Sequence, residues 1–511
     1  MVIVSITPEI ALDYSRNYAG GLGVLEGDKF YGAGDIGLDY LVLSLLYRHG
    51  YVSIDFNVNG DLLYSTERHE KEFMERLFPE EEFTIRLKNT DIYVRPWVYR
   101  YKSAKAVLFE AVCPQWARSL TERVYLENSM EEKFLKYALL AKSSAYYLNN
   151  VVGIENVIAI DLEESYTSLV LYLLKDLNAK TRIIIHTPGP WGHPTFPCEL
   201  VQREFDEKCQ GEINMTFMSL EKLKNAIVVS RKHKEIMEII FPQFKDSFKP
   251  ITNGIYIKRW MHPKLYKAFI ENNISTKVIY EARNEAKDAL YSLIKKYKEN
   301  ICSNKEKMVI AWARRFTKYK RPYFVFRFIE EHPDLDAIFV VAGKPHPSDI
   351  DGYTYSKKAR ELSLKISNFI YLNNYSLEIA KILVQGSDLW LFTSFSGWEA
   401  CGTSYMKALV NGVPVLSSRD GGALEIIRED HNGWFFGENR KEFIDIYSDP
   451  KFHEIDKKEY VEFRDKLLKI IDLYYTDPER YLEISLNAYR DTPQAVDITN
   501  VLKKYYILDN K

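Results

Sequence analysis

Short runs of β-branched and aromatic residues alternate with longer segments of helical spacing along the whole chain. In the first half, Val2–Ile6, Val157–Asp161 and Arg182–His186 predict strands; in the second, Met308–Trp312, Ala337–Ala342, Phe369–Leu372, Leu389–Thr393 and Val413–Ser417 do so. Glu131–Leu148, Ser165–Leu174, Pro322–Glu331, Leu377–Gln385 and Ser404–Val410 predict helices. Alternation of this kind is the mark of parallel α/β architecture. Each predicted strand ends in a loop holding polar or charged residues: Glu163/Glu164, His186, Arg315, Gly343/Lys344 and Ser394–Glu399. Open α/β sheets bind ligands outside the carboxyl ends of their strands, so these loops are the first place to look for chemistry.

The pattern changes near residues 262–305, which are Lys/Glu-rich and helical with no strand signal. This predicts a first domain over 1–262, a helical connection over 263–305, and a second domain over 306–454. Residues 455–511 read as terminal helices, the last of them returning to the first domain. The charge-rich run Glu67–Glu82 reads as a solvated helix face. No internal repeat or low-complexity tract is evident.

Composition narrows the classes. With 511 residues and 46% hydrophobic content, the chain has ample material for two or three cored domains. A net charge of −2 gives no general pull toward nucleic acid or anionic membrane. The 36 Tyr, 27 Phe and 8 Trp are mostly core material, although a sugar-binding cleft also uses aromatic faces. Five cysteines (Cys113, Cys198, Cys209, Cys302 and Cys401) are scattered and odd in number, without C-x-x-C spacing. Neither zinc nor a disulfide framework is expected, no metal site is assigned, and a reducing cytoplasm fits best. Met1–Ile6 runs at once into a strand, with no basic n-region and no cleavage pattern, so it does not read as a signal peptide. No run of about 18 or more apolar residues predicts a membrane span.

Three segments carry candidate chemistry. Glu399-Ala400-Cys401-Gly402-Thr403-Ser404-Tyr405-Met406-Lys407, followed by Asn411-Gly412 and Asp420-Gly421, puts an acid, a small-residue turn and a lysine in one unit. Thr403 can cap a helix and Gly402 permits close approach. A helix start holds anions with its free N–H groups. Lys407 falls about one turn inside that helix, and a lysine drawn into such a site can form a Schiff base with an aldehyde cofactor. Taken alone, a helix lysine more commonly reaches solvent. The second segment, Tyr18–Asp28, is glycine-rich and follows the first strand; glycine lets backbone approach a phosphate, but a plain tight turn fits equally. In the third, Ala313–Arg321, Arg315 lies at a strand end and Lys320 at a helix start, giving a guanidinium clamp and a point charge for phosphate. A solvated basic helix start is the plain alternative; a nucleic-acid patch fits poorly without net basic charge.

The Glu399–Lys407 segment closely resembles the cofactor-lysine motif of the α-glucan phosphorylases, the glycogen phosphorylase family. The resemblance implies pyridoxal 5′-phosphate (PLP) on Lys407, with Gly402 and Thr403 at the cofactor. Tyr18-Ala19-Gly20-Gly21-Leu22-Gly23 resembles the family's glycine loop, placing Gly20 and Gly21 over substrate and cofactor phosphates, although sugar-nucleotide glucan synthases carry a related loop. Arg315 and Lys320 match the family's phosphate ligands, with Tyr319 near the sugar. Thr252-Asn253-Gly254-Ile255 and Arg259-Trp260 imply Asn253 on the transferred glucose and Trp260 against the cofactor; for Asn253-Gly254 a hairpin turn is the plain alternative. His186-Thr187-Pro188 resembles the segment whose histidine binds glucose at the cleaved bond, and His193 gets no role. Asn374-Tyr375 makes Tyr375 a cofactor contact. Glu399 is carried over to sugar hydroxyls, and Glu164 to the sugar side, against a plain structural role for Glu163 and Glu164.

Departures from the family pattern are specific. Tyr166 stands where a histidine is usual, Cys401 where serine is usual, and Ser376 where many members have arginine near the cofactor phosphate. Val413-Pro414-Val415 through Asn432-Gly433-Trp434 looks more like nucleotide-sugar transferases. The resemblance runs in separated blocks from Ala19 to Glu425. It implies a GT-B fold: two doubly wound Rossmann-like domains facing a cleft. The implied activity is PLP-dependent retaining phosphorolysis of α-1,4-glucan or maltodextrin, with inorganic phosphate consumed and α-glucose 1-phosphate released. A cytoplasmic enzyme, a homodimer as in many family members, and no animal-type allosteric control are further expectations. Two rivals remain: a nucleotide-sugar-dependent retaining α-glucosyltransferase, and a non-catalytic glucan- or PLP-binding protein.

Overall fold

The computed structural model describes residues 1–301 and 303–506; Cys302 and residues 507–511 lie outside the described residues. The chain divides into two compact units. The first comprises Met1–Val52, Thr66–Thr252 and the last helix from Val501 on; the second comprises Ser53–Ser65 and Asn253–Asn500.

The first unit is built on a ten-stranded sheet. Seven strands run parallel, in the spatial order Phe248–Pro250, Ala226–Val228, Thr181–Ile185, Val157–Glu163, Val2–Ile6, Tyr40–Leu45 and Ala104–Cys113. Thr90–Tyr101 pairs antiparallel with the last of these, and Phe78–Pro79 and Phe83–Leu87 pair antiparallel with it in turn. Every residue of Val2–Ile6 and Tyr40–Leu45 is buried, as expected of central strands covered on both faces.

The second unit is a six-stranded, all-parallel sheet ordered Phe369–Leu372, Ala337–Ala342, Met308–Ala313, Leu389–Phe392, Val415–Ser418, Gly433–Phe436. Numbered along the chain this is 3-2-1-4-5-6, the doubly wound order, and the first unit's parallel strands follow the same rule. The order reverses between Met308–Ala313 and Leu389–Phe392 in the second unit, and between Val2–Ile6 and Val157–Glu163 in the first. Loops leaving those strands flank the crevice where such sheets bind ligands. Trp312 and Trp390, on the two strands at the second reversal, are fully buried. Each fully buried large apolar side chain contributes about 1.5–3 kcal/mol.

Several expectations shift. The division falls after Thr252, so Asn253 and Trp260 belong to the second unit. Ile255 explains this: its N–H donates to Val496 and its carbonyl accepts from Ile498, both in that unit. The segment read as a connection holds the helices Pro263–Ile270 and Thr276–Lys295. Arg283 and Lys287 of the longer helix pair with buried Asp388 at 3.1 and 2.8 Å, making it a layer of the second unit. Within Glu67–Glu82 only Lys71–Glu75 is α-helical, and a short strand, Phe78–Pro79, follows. Ser165–Tyr172 is a 3-10 helix, not an α-helix. The expectation of no disulfide is overturned: Cys198 and Cys209 are bonded, with Cα atoms 5.7 Å apart. The antiparallel ribbon Thr195–Pro197/Glu212–Asn214 brings the two ends of that segment together, so spacing along the chain gave no hint. Cysteine usage therefore no longer argues for a reducing compartment. Among the described residues no helix is long and apolar enough to cross a membrane.

Candidate functional site

In the second unit, the strands flanking the reversal deliver a charged cluster. Met308–Ala313 leads into Arg314-Arg315, and Leu389–Phe392 into Thr393–Glu399. The buried Arg314 guanidinium donates to Ser394 Oγ at 2.5 Å and to Glu399 Oε2, and lies 3.9 Å from the centroid of Phe392. Lys320 Nζ, from the short 3-10 turn Lys318–Lys320, is 3.4 Å from the same carboxylate oxygen. Burial would raise the Glu399 carboxyl, but Arg314 and Lys320 outweigh it and hold it down at about 2. Burial, reinforced by Arg314 and Arg315, pushes the Lys320 ammonium down to about 7 despite Glu399. Arg314 and Lys320 thus share one carboxylate, and Arg315 lies close enough to help lower the Lys320 ammonium. Tyr319 is buried beside it, its hydroxyl raised by burial and by Glu399.

The turn bearing Glu399 is tightly wrapped. Asp420 accepts from the N–H groups of Gly397 and Glu399 at 2.8 Å and of Gly421 at 2.9 Å. Gly421 has φ +55°, and a Cβ there would sit 2.7 Å from the Glu399 carbonyl oxygen. Gly402 has φ +70°, and its Cβ would meet the Phe392 ring at 2.5 Å. Only glycine fits either position without displacing its neighbour. Thr403 does precede the helix Ser404–Leu409, but its side chain makes no capping hydrogen bond; the expected cap is absent.

Lys407, on that helix, is 7% exposed, and its Nζ lies 3.9 Å from the centroid of the Trp260 ring. Such a contact is worth roughly 0.5–2 kcal/mol. Asn411 joins the two elements: its Nδ2 donates to the carbonyls of Lys407 at 2.8 Å and Trp260 at 3.0 Å, while its Oδ1 accepts from His262 at 2.7 Å. Gln385 also donates to the Trp260 carbonyl, at 3.1 Å. Asn253 is nearly buried, and its backbone N–H reaches the Cys401 thiol, which burial pushes up to about 12. Tyr375 is half-buried between Asn374, which pins the ribbon strand Val52–Phe56 through Ile54, and Ser376. Ser376 caps the helix Leu377–Gly386.

In the first unit, the corresponding strand ends deliver acids. Beyond Val2–Ile6, buried Glu9 accepts from the N–H groups of Ala19 and of Gly20 (3.2 Å) and from the Tyr125 hydroxyl (3.2 Å). The glycine segment is not a separate loop: Gly20 is the N-cap of the helix Gly21–Asp35, and Gly21 and Gly23 form its first turn. A Cβ on Gly23 would meet Tyr18 at 2.6 Å, whereas Cβ atoms on Gly20 and Gly21 would meet nothing within 4 Å. Beyond Val157–Glu163, Glu163 pairs with Lys29 and with His186 Nε2 at 2.7 Å. Those two partners overcome burial and hold its carboxyl below the usual carboxylate range. Glu164 has φ +68°, outside the regions that side chains favour, at a cost of about 1–3 kcal/mol. One of its oxygens accepts from Thr187 at 2.6 Å, and the other, Oε2, is buried with no hydrogen-bond partner. Burial pushes this carboxyl up to about 7. The His193 ring packs edge-on against Phe241 and bonds Thr216 at 2.8 Å, as a structural histidine would.

The structure therefore groups Arg315, Lys320, Tyr319 and Glu399; Lys407 with Trp260; Gly20 and Gly21; and His186 and Glu164 with Glu163. Sequence reasoning missed Arg314, which grips Glu399, and Glu9, which holds the glycine segment. The Arg314-Arg315 doublet offered two candidates; the resemblance pointed to Arg315, and a strand buried at every residue, Met308–Ala313, gives no alternation that would have singled out Arg314. Among the described residues no group of three or more His, Cys, Asp or Glu is arranged to hold a metal ion.

Comparison with known proteins completes the picture. Residues 294–452 match the sequence model of the family described as Glycosyl transferases group 1. Maltodextrin phosphorylase of Thermococcus litoralis is 26% identical over 509 residues, covering 83% of this chain and 61% of that protein. Glycogen phosphorylase of Aquifex aeolicus is 25% identical, covering 85% of this chain and 76% of that protein. An uncharacterized protein of Methanocaldococcus jannaschii is 27% identical, with 80% and 83% covered. The chain spans about three fifths of the length of the Thermococcus protein. Two doubly wound α/β units, one matching the group 1 glycosyltransferases, make this a GT-B-class protein.

Proposed function

We propose that this chain acts as the glycogen and maltodextrin phosphorylases it resembles do, catalysing retaining phosphorolysis of α-1,4-glucan to α-glucose 1-phosphate. The observation that carries the reading is the second unit's pairing of a buried amine on an aromatic wall, Lys407 over Trp260, with the cation cluster Arg314, Arg315 and Lys320. Those residues suit PLP: an amine for its carbonyl, an indole face for its ring, and cationic side chains for phosphate. When bound, the cofactor supplies a second phosphate group whose pKa near 6 lets it exchange a proton at neutral pH.

The chain's own residues do the rest. Arg315 and Lys320 bind inorganic phosphate, and Lys320, poised at about 7, becomes fully charged as the anion arrives. Arg314 holds Glu399 ionised and oriented, so that the carboxylate aims at hydroxyls or at the Lys320 ammonium. In the first unit, His186, fixed through Glu163, is the proposed glucose ligand, with Glu164 near it; in the second, Asn253 and Tyr319 are the proposed sugar contacts. The glycosidic C–O bond breaks, its oxygen takes a proton from the bound phosphate, and a phosphate oxygen closes on the anomeric carbon from the same face. Charge developing on that carbon is balanced by phosphate rather than by a carboxylate nucleophile. Inside cells the expected compartment is the cytoplasm, and a homodimer is the expected assembly.

The test is phosphate-dependent release of glucose 1-phosphate from maltodextrin by PLP-loaded protein. Release supports the reading; turnover of a nucleotide sugar without phosphate dependence contradicts it. The latter activity is the rival that the group 1 match favours. It gives Lys407 no function.

A further inference from the structure

The segment after His186 folds back on itself. A 3-10 turn spans Pro190–Gly192, closed by Gly192 N–H to Gly189 at 2.9 Å and His193 N–H to Pro190 at 3.1 Å. A Cβ on Gly189 would lie 2.9 Å from the Trp191 six-membered ring, so the indole rests directly on that glycine. A Cβ on Gly192 would lie 2.6 Å from Thr187, the residue that hydrogen-bonds Glu164. Asn214 fixes the far side through the His193 carbonyl at 3.1 Å. Trp191 nevertheless leaves 36% of its surface open. A rigidly seated, open indole at a strand's carboxyl end is unusual, because tryptophan is highly buried on average.

Tyr166 gives the turn its anchor. Its hydroxyl donates to the Trp191 carbonyl at 2.6 Å and accepts from Lys133 at 3.0 Å, and its ring packs on Tyr137 with centroids 4.7 Å apart. The histidine usual at this position in the resembled family lacks the reach and the hydroxyl to do this. The departure at 166 thus has a consequence: it fastens an aromatic surface beside Glu164 and His186.

We propose that Trp191 is a stacking platform for the glucan chain, positioned by Tyr166, with the apolar C–H face of a glucose residue lying on the indole. The inference rests on the phosphorolytic reading above and extends it to the oligosaccharide beyond the reacting glucose. Aromatic surfaces of this kind add area at low conformational cost. A pre-seated ring also pays little ordering entropy on binding.

The experiment compares wild type with Trp191→Ala, Trp191→Phe and Tyr166→Phe, using calorimetric titration with maltoheptaose and steady-state phosphorolysis on the holoenzyme. Trp191→Ala is expected to weaken maltoheptaose binding and raise its KM roughly five- to tenfold, with KM for inorganic phosphate moving less than about twofold. Trp191→Phe restores most of the loss, and Tyr166→Phe loses about two- to fivefold. A loss of folding would move both KM values, so the split separates stacking from structure. Unchanged maltoheptaose binding in Trp191→Ala, with phosphorolysis intact, overturns this inference and leaves the phosphorolytic reading standing. Glucan binding that depends on Trp191 in a protein that releases no glucose 1-phosphate upholds the platform and overturns the reading instead.

Discussion

The two units share one strand order and place their polar residues at the same topological reversal, yet the charge there is opposite in kind. In the first unit, Glu26, Glu163 and Glu164 are set against Lys29 and His186, and most of these groups are consumed by one another. In the second, Arg314 and Lys320 share Glu399, Arg315 lies close by, and the nearby acid Asp420 is held by backbone N–H groups. A doubly wound sheet fixes where a ligand binds; the residues on the loops decide whether it is a neutral polyol or an anion. On the proposed reading, the first unit brings His186 to the sugar and the second brings Arg315 and Lys320 to phosphate, with Asn253 and Tyr319 as further sugar contacts.

The most damaging change is expected in the second unit. Lys407→Ala should lower phosphate-dependent turnover by at least about 10³-fold while leaving the far-UV spectrum unchanged, because it removes the amine that anchors the cofactor. Next, Arg314→Met leaves Glu399 buried with Lys320 alone. Breaking a buried pair from one side costs about 3–5 kcal/mol, so denaturant titration should show a loss of that order, and kcat/KM for phosphate should fall roughly 10²-fold. If Arg314→Met instead impairs glucan binding and spares phosphate, the assignment of ligands to units is wrong.

Lys320 sharpens the contrast through pH. Its folded-state pKa is depressed to about 7 from 10.5, so its positive charge is lost as pH rises through 7. Phosphate affinity should weaken above that pH, and Lys320→Arg should remove this limb of the profile, since guanidinium stays charged. A limb that survives in Lys320→Arg belongs to another group.

The smallest effect is on stability. Glu164 has a raised folded pKa, about 7 against 4.5. Between those values the folded state binds more protons than the unfolded one, so stability falls as pH climbs from about 4.5 to 7 and the deficit stays above that. Glu399 has the reverse sign: depressed to about 2, it adds stability above 4.5 that is lost as pH falls toward 2. Glu164→Gln should therefore raise Tm by a few degrees at pH 8 and leave it nearly unchanged at pH 4. Thermal scans showing equal Tm changes at both pH values would mean that Glu164 is not held protonated.

Much of this was legible in the chain. Met308–Ala313, Ala337–Ala342 and Phe369–Leu372 stand out because strands buried on both faces need unbroken apolar runs. The polar ends of Met308–Ala313, Val157–Glu163, Thr181–Ile185 and Leu389–Phe392 marked Arg315, Glu164, His186 and Glu399 as candidates. Boundaries missed by a residue or two, as at Thr181–Ile185 and Val415–Ser418, because helix and strand ends depend on hydrogen bonds that pattern does not encode. What pattern could not show is contact at long range. Arg314 reaches Glu399 only because strands one and four lie side by side, and Asn411 and Gln385 help hold Trp260 against Lys407. Cys198 and Cys209 meet through a ribbon that neither cysteine belongs to. Thr403 shows the converse, where good capping chemistry goes unused: its backbone, at φ −129° and ψ −6°, is not the extended conformation of a typical N-cap.

The most direct test treats PLP-loaded protein with borohydride and maps the product by peptide mass spectrometry. A mass increase of one reduced pyridoxal phosphate on the peptide containing Lys407, absent from Lys407→Ala, is the predicted result. Wild-type protein that carries no such adduct at Lys407 yet still transfers glucose would contradict the account.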